Sequence, residues 1–392
     1  MLHVKKFTRT ADARRNYYFL PGMSGQWRPA VTNGSENAES PCQIECGLMA
    51  MTSPEKIQRQ NEHEFPRKLL GWYDRHARDL PWRKSRDPYR VWVSEIMLQQ
   101  TRVAAVIGHY QEFLQRFPTV HKLAAARESS VLAVWSGLGY YRRARMLHAA
   151  AKVVAQERSG GFPRTAPEWQ KLPGVGRYTA AAIASIAFGE PVAVVDGNVE
   201  RVLQRIRGKS ISGEEVWDHA EHLLDHARPG DFNQAMMELG ATVCTPRAPA
   251  CLTCPVLQLC VSRGELASEG KPARQKKREI HYALHRRNAS VFLVQRPKNA
   301  QLMAGMWELP EIGPPRDGAE PVLKVKHSIT VTDYTVKVWP VSAPAGVIGE
   351  WCAIERLSRR ALTGLARKVL RLGGIFPASR SSLNSSRDNG CG

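Results

Sequence analysis

The sequence predicts a multi-domain protein, with a long all-α domain followed by a smaller α+β domain. Three observations carry this reading. From Glu64 to about residue 262, apolar residues recur at helical spacing and Val- or Ile-rich alternation is scarce. Between Ser262 and Glu279 the composition shifts to Gly, Ser, Lys and Arg, ending in KPARQKKRE, which marks a linker. Beyond it the period drops to two, because Ile280, Tyr282 and Leu284 alternate and Val291 and Leu293 do so again. A chain of 392 residues also exceeds what one core usually holds. The expected divisions are 1–52, a disordered or non-native extension; 53–262, the helical domain; 263–279, the basic linker; 280–375, the α+β domain; and 376–392, a solvated tail.

The elements follow in order. Residues 1–52 mix Gly, Ser, Asn and Pro with isolated aromatics and show no period, so they read as dispensable and the working protein as starting near Met51. Their excess of Arg and Lys leaves a weak organelle-targeting signal open, against which stands the lack of amphipathic spacing. Asp87-Pro88 starts a helix through VWVSEIMLQQ, and Thr101 reads as the cap of the next, which Pro118 stops. Further helices are expected at Ser130–Ser136, Tyr141–Gln156, Thr179–Ala187, Val199–Arg207, Glu214–Leu224 and Phe232–Ala241. In the second domain Arg287-Asn288 can turn a hairpin, Ile329–Trp339 is β-rich, and Ser358–Leu372 reads as a basic helix.

Charge narrows the function class. A formal charge of +20 and a pI near 9.9 favour a polyanionic partner, although an ordinary basic surface gives the same total. No apolar run approaches the roughly 20 residues that a bilayer span needs, so a soluble chain is expected. Four of the eight cysteines crowd between Cys244 and Cys260, a spacing that favours a metal site over a secreted disulfide framework.

The stretch from Leu172 to Asn198, LPGVGRYTAAAIASIAFGEPVAVVDGN, organises the rest. Pro173, Gly174 and Gly176 form a tight turn that opens a helix, and a helix N-terminus behind glycines is a site for an anion such as a nucleic-acid phosphate. Asp196 ends the apolar run Val192–Val195; on position alone it is either a helix cap or a carboxylate delivered to the edge of a core. Glu95 lies in VWVSEIML among apolar neighbours, either desolvated and thus protonated near neutral pH, or on a narrow wet face, or paired to an Arg. Cys244, Cys251, Cys254 and Cys260 are separated by six, two and five residues, which suits a zinc ion or an iron–sulfur cluster. Arg142, Arg143 and Arg145 either reach phosphates or are simply solvated.

LPGVGxxTA followed by VDGNV resembles the helix-hairpin-helix DNA glycosylase superfamily, and with SEIMLQQT the wording is similar to the adenine-mismatch, or MutY, family. The similarity runs from residue 60 to about 375. It implies that Glu95 protonates adenine while Asp196 stabilises a cationic sugar, electrostatically or covalently, with Asn198 bonding nearby groups. Where endonuclease III relatives carry a Schiff-base lysine, Tyr178 implies a monofunctional enzyme. The family's four cysteines hold one 4Fe-4S cluster, which implies that role for Cys244, Cys251, Cys254 and Cys260, with Arg247 in a basic loop beside DNA. Excision from a duplex needs the base extruded, so Gln99, Gln100, Thr101 and Tyr140 are expected at the lesion pair, with Gln100 and Tyr140 intercalating; ordinary helix packing is the alternative for Tyr140. Gly174, Gly176 and Arg177 are expected on DNA, and Arg83 beside the adenine pocket.

VFLVQRP and LMAGMWELP resemble the family's Nudix-like C-terminal domain, without the REXXEE metal helix of a working Nudix hydrolase. The family's Phe-Ser-His loop, which inspects 8-oxoguanine, has its nearest match in His327-Ser328-Ile329, which points to Ser328. The implied substrate is duplex DNA bearing adenine opposite 8-oxoguanine or guanine, handled by a cytoplasmic, nucleoid-associated monomer. The alternatives are an endonuclease III-like lyase acting on oxidised pyrimidines and a non-catalytic DNA-binding module.

Overall fold

The structure, a computed structural model, describes residues 54–376 apart from 158, 265, 267–275, 301, 316–319 and 330–331. The expectations for 1–52, for most of the linker and for the tail beyond 376 lie outside the described residues. Among the described residues no helix is long and apolar enough to cross a membrane.

Helices build the first part: α1 (Pro54–His76), α2 (Pro88–Leu98), α3 (Val103–Arg116), α4 (Val120–Ala124), α5 (Glu128–Trp135), α6 (Arg142–Glu157), α7 (Ala166–Trp169), α8 (Arg177–Phe188), α9 (Gly197–Arg207), α10 (Glu214–His222) and α11 (Pro229–Thr242). Asp87 and Pro88 start α2 as expected, since the Asp87 side chain accepts from Arg90 N at 2.9 Å. Thr101 does not cap α3. Arg102 holds that position, and the Thr101 hydroxyl is taken up by Gln99 O and the Arg143 guanidinium.

These helices enclose two cores. One gathers α2, α3, α5, α6 and α8 around Trp92, Trp135 and Trp169; the other gathers α1, α9, α10 and α11 around Phe65, Leu203 and Phe232. The extended segment after α8 lies on the seam, with Val194 in the first core and Ala193 in the second. Its backbone has no strand partner, so side chains replace the ladder. Val194 N donates to Asn233 Oδ1 at 3.1 Å, Ala193 N to Glu221 Oε1 at 2.9 Å, and Asn233 Nδ2 to Val192 O at 2.9 Å. This bonding fixes where Asp196 emerges.

The remainder contains β1 (Lys276–Ala283), β2 (Arg286–Arg287), β3 (Ser290–Gln295), β4 (Trp307–Glu308), β5 (Glu311–Ile312), β6 (Leu323–Ile329), β7 (Thr332–Trp339), β8 (Glu350–Ala353) and α12 (Gly364–Leu372). One sheet has the order β5-β1-β7-β6, parallel between β1 and β7 and antiparallel elsewhere. In the other, β3 pairs antiparallel with β2, β4 and β8.

Three expectations need correction here. The sheet begins at Lys276, inside the expected linker, because the exposed Lys276–Glu279 backbone pairs with Thr332–Thr335. The two alternating runs are not one hairpin: β1 pairs with β5 and β7, and the turn at Asn288 joins β2 to β3. The basic helix is shorter than Ser358–Leu372, since Thr363 caps α12 by accepting from Ala366 N at 3.1 Å. The described residues form one compact unit, and Met306 and Ala361 from the sheet-containing part complete the first helical core.

Candidate active site

A hollow of about 1690 Å³ opens where the end of α2, the Gly137–Arg142 turn, the start of α8 and the start of α9 face the sheet-containing part. Gln99, Gln100, Tyr140, Gly174, Tyr178 and Asp196 line it from the helical side, and Ser328 and Lys368 from the other. The hollow thus brings together sequence-predicted residues up to 229 positions apart, from the first core, the seam and β6.

Glu95 sits just behind this wall. It is 6% exposed, and burial pushes its carboxyl up to about 7; the nearby Asp196 charge adds to the rise, while the Tyr178 hydrogen bond and Arg83 oppose it. Tyr178 Oη donates to Glu95 Oε2 at 2.9 Å, with Met237 Sδ 3.3 Å away. Desolvation, reinforced by Glu95, holds the phenol well above its ordinary range, so it stays a donor. The paired-Glu alternative fails: Arg83 gives its guanidinium to Glu238 Oε2 at 2.8 Å, not to Glu95. Arg83 therefore acts on Glu95 at a distance and does not line the hollow.

Asp196 performs both roles that its position allowed. Its Oδ1 caps α9 by accepting from Asn198 N and Val199 N, each at 2.8 Å, and its Oδ2 accepts from Asn198 Nδ2 at 2.9 Å. Every contact is a donor, which suits the acceptor-only carboxylate. Asn198 is fixed in turn, because Arg201 Nη2 donates to its Oδ1 at 2.8 Å and to Gly240 O at 2.7 Å. Arg201 Nε also reaches Cys244 O at 2.9 Å, which ties the cysteine loop to the Asp196 cap.

The two expected intercalators share a backbone feature. Gln100 and Tyr140 are exposed non-glycine residues with φ of 54° and 47°, the sparsely populated left-handed region that clusters at functional sites. Arg143 holds them together: its Nη1 donates to the carbonyls of Ile96 at 2.8 Å, Met97 at 3.0 Å and Gln99, and its Nη2 to Gly139 O at 3.4 Å. Its guanidinium also lies 5.3 Å from the Tyr140 ring centre. Half-buried Arg143, pushed down to about 10 by burial, is a structural clamp rather than a solvated cation, whereas Arg145 pairs with Glu128 and Ala304 O. Gln99 points inward and donates to Thr179 Oγ1 at 3.0 Å.

At the hairpin, Gly174 has φ of 75°, and a Cβ there would stand 2.4 Å from Met146 Cβ. Both requirements demand glycine. Gly176 precedes α8 with no side-chain cap, leaving its first N–H groups open to an anion. Arg177 is occupied: it bonds Glu214 at 2.8 Å and stacks 3.9 Å from the Trp217 ring centre. Ser328 lies on β6 rather than in a loop, exposed, with its hydroxyl 2.5 Å from Asp333 Oδ1.

Cys244, Cys251, Cys254 and Cys260 are half-buried free thiols. Burial, with smaller contributions from the other three, raises Cys254 to about 11, so the four act on one another. Arg205 Nη1 donates to Cys244 Sγ at 3.3 Å, a cation beside the sulfurs. Among the described residues, no three His, Cys, Asp or Glu side chains stand as a ready cage for a metal ion.

Sequence reasoning missed Arg201, Gly240 and the clamp role of Arg143. Only Gly240 carried a signal: a glycine inside an otherwise regular helix marks a close approach, and its ideal Cβ would stand 2.6 Å from Asn198 Cβ.

A family profile described as HhH-GPD superfamily base excision DNA repair protein matches residues 93–224, a span that includes Glu95, Tyr178 and Asp196. The chain is 44% identical over 311 residues to the adenine DNA glycosylase of Rattus norvegicus, covering 63% of this chain and 60% of that protein. It is 35% identical over 318 residues to the adenine DNA glycosylase of Schizosaccharomyces pombe, covering 63% of this chain and 69% of that protein. A solved structure described as a thermostable thymine-DNA glycosylase matches with a TM-score of 0.50 and 31% identity, covering 53% of this chain and 98% of that one. The chain spans less than two thirds of the rat and human relatives, 60% and 57% of their lengths. With more than two thirds of the fission-yeast protein matched, and with Glu95 and Asp196 inside the superfamily profile, the chain belongs to the adenine DNA glycosylase family.

Proposed function

We propose that this protein is a monofunctional DNA glycosylase that removes adenine mispaired with 8-oxoguanine or guanine. The observation that carries the reading is the arrangement of two unlike carboxyls: buried Glu95, bonded to Tyr178 of the hollow's wall and raised to about 7, and Asp196, which lines the hollow and is held by three N–H donors. Glu95, as the acid, gives its proton to a ring nitrogen of the adenine. The C1′–N9 bond breaks with its electron pair leaving on the base, and the sugar becomes an oxocarbenium-like cation. The Asp196 carboxylate stabilises that cation. Water adds to C1′, its proton returns to the Glu95 carboxylate, and adenine and an abasic site are released.

A lyase would need an amine to attack C1′. Tyr178 holds the hairpin position with a hydroxyl, and Lys368, which lines the far wall, donates its ammonium to Lys326 O at 2.7 Å. This supports water as the nucleophile. Ser328, exposed on the wall opposite Tyr140, supports a lesion-reading role for a Nudix-like C-terminal domain.

Cys244, Cys251, Cys254 and Cys260 fit a 4Fe-4S cluster, being four mutually influential thiols with no disulfide and with Arg205 alongside. Such a cluster supplies structural cross-linking of the loop, which α9 already meets through Arg201 and Arg205. Zinc with no iron in the purified protein, and no visible iron–sulfur absorbance, argues against it.

The test of function is adenine release from duplexes bearing A opposite 8-oxoguanine, G or T, with and without alkali. Breaks that need alkali and are confined to the first two are expected; efficient borohydride trapping of protein on DNA overturns the monofunctional assignment.

A further inference from the structure

The turn that carries Tyr140 is finished by atoms from the sheet-containing part. Gly137, Gly139 and Tyr140 all have positive φ, which glycine adopts freely and tyrosine does not, so the turn between α5 and α6 holds Tyr140 in a sparsely populated backbone region. Two hydroxyls bracket it in sequence. Ser136 immediately precedes it and Tyr141 immediately follows Tyr140, and both are buried. Ser136 Oγ donates to Leu362 O at 2.8 Å, and Tyr141 Oη donates to the same oxygen at 3.2 Å. Arg367 Nε on α12 donates back to Ser136 Oγ at 2.9 Å, and Gly137 N donates to Tyr141 Oη at 3.4 Å, which closes the turn on itself.

Leu362 O is a fixed anchor: the residue is fully buried and bridges Trp307 of β4. Both hydroxyls give their protons to this one oxygen of the sheet-containing part. A buried hydroxyl deprived of its acceptor is costly, so Leu362 and Arg367 favour this geometry of the turn. The helical side of the hollow is thus incomplete without the C-terminal part.

We propose that Ser136, Tyr141 and Arg367 are positioning residues that lock Tyr140 in its inserting conformation, so that the C-terminal domain sets base extrusion as well as reading the opposite base. This rests on the excision reading above. The latch acts through Tyr140, which is exposed on the hollow with φ of 47°.

The experiment uses the full chain and a duplex in which 2-aminopurine replaces adenine opposite guanine, since its fluorescence rises on unstacking. Wild type is compared with Ser136→Ala/Tyr141→Phe, Arg367→Gln and Arg367→Lys. The double variant is expected to lose most of the fluorescence rise and about tenfold or more in single-turnover excision, with duplex affinity within about threefold of wild type. Arg367→Gln is expected to do the same to a lesser degree and Arg367→Lys to restore part of it. A purely structural role would lower affinity and thermal stability together and leave the extrusion signal of the bound fraction intact. Should the double variant fail to fold, Tyr141→Phe alone carries the same readouts. Unchanged extrusion and excision in folded variants overturns the latch, whereas a wild type that releases no adenine overturns the excision reading instead.

Discussion

The two carboxyls of the site are held in opposite ways, one by exclusion of water and the other by abundance of donors. Glu95 rises from a helix of the first core, with one hydrogen bond from Tyr178 and apolar packing elsewhere. Asp196 sits at the seam between the cores and receives three N–H bonds. Burial pushes the Glu95 carboxyl up to about 7, whereas Asp196 is held at a helix N-terminus by donors alone. Two similar side chains meet unlike surroundings because one belongs to the interior of a core and the other to the junction of two.

The strongest way to break this contrast is to neutralise each carboxyl. Glu95→Gln is expected to lower single-turnover adenine release by about 10²- to 10⁴-fold, the usual range for a lost general acid. Asp196→Asn is expected to cost about 10²- to 10³-fold, because Asn keeps a cap acceptor but not the charge that faces the cation. The pH dependence separates them. With Glu95 at about 7, wild-type excision falls as pH rises through that value and the acid is lost, and Asp196→Asn retains this alkaline limb. Glu95→Gln lacks it. Stability follows the same sign: the folded state binds the Glu95 proton between the ordinary glutamate range and about 7, so stability declines as pH rises through that window. The decline amounts to roughly 3 kcal/mol, and Glu95→Gln flattens that part of the curve in thermal unfolding.

A second test reaches Asp196 without touching it. Gly240 on α11 packs so closely on α9 that an added Cβ would stand 2.6 Å from Asn198 Cβ and 2.9 Å from Asn198 O. Gly240→Ala therefore pushes the first turn of α9, and a shift of about 1 Å in a positioned group can cost up to 10²-fold. The expected result is a ten- to hundredfold loss of excision together with about 1–3 kcal/mol of stability from overpacking. The alkaline limb should move little, because burial in the other core is the largest cause of the raised Glu95 carboxyl and the Asp196 charge a smaller one. A limb that moved far would mean that the two regions are not separable.

Much of this arrangement was legible in the sequence. Glu95 could be read as desolvated because apolar residues surround it in VWVSEIML, and burial is the largest cause of its raised carboxyl. Asp196 was readable as a cap from its place before a helix. Arg201, by contrast, is one of several arginines on α9, and nothing local distinguishes it; its role depends on Gly240 O and Cys244 O arriving from more than 35 residues away. Arg143 was equally opaque, since a cation among cations reads as a phosphate contact or as solvated until tertiary packing supplies five oxygens for it. In the sheet-containing part the strands were recognised but their pairing was not. Alternation records which face is buried and says nothing of which strand lies beside it, so β1 was joined to β3 when its partners are β5 and β7.

The smallest effect expected is also the most specific to the Glu95 side of the comparison. Tyr178 donates to Glu95 Oε2, and that bond opposes the rise that burial causes. Tyr178→Phe removes the donor while leaving the ring, so the Glu95 carboxyl should move further up and the alkaline limb of excision should shift to higher pH. Activity at pH 6 should fall by less than about tenfold, because the acid remains protonated there and only one hydrogen bond, about 1–2 kcal/mol, is lost. The same substitution should leave the activity ratio between wild type and Asp196→Asn unchanged, since Asp196 takes all three of its bonds from α9. A limb that moved to lower pH would show that Tyr178 supports the protonated acid, and the pairing of a dry carboxyl with a donor-rich one would then need a different origin.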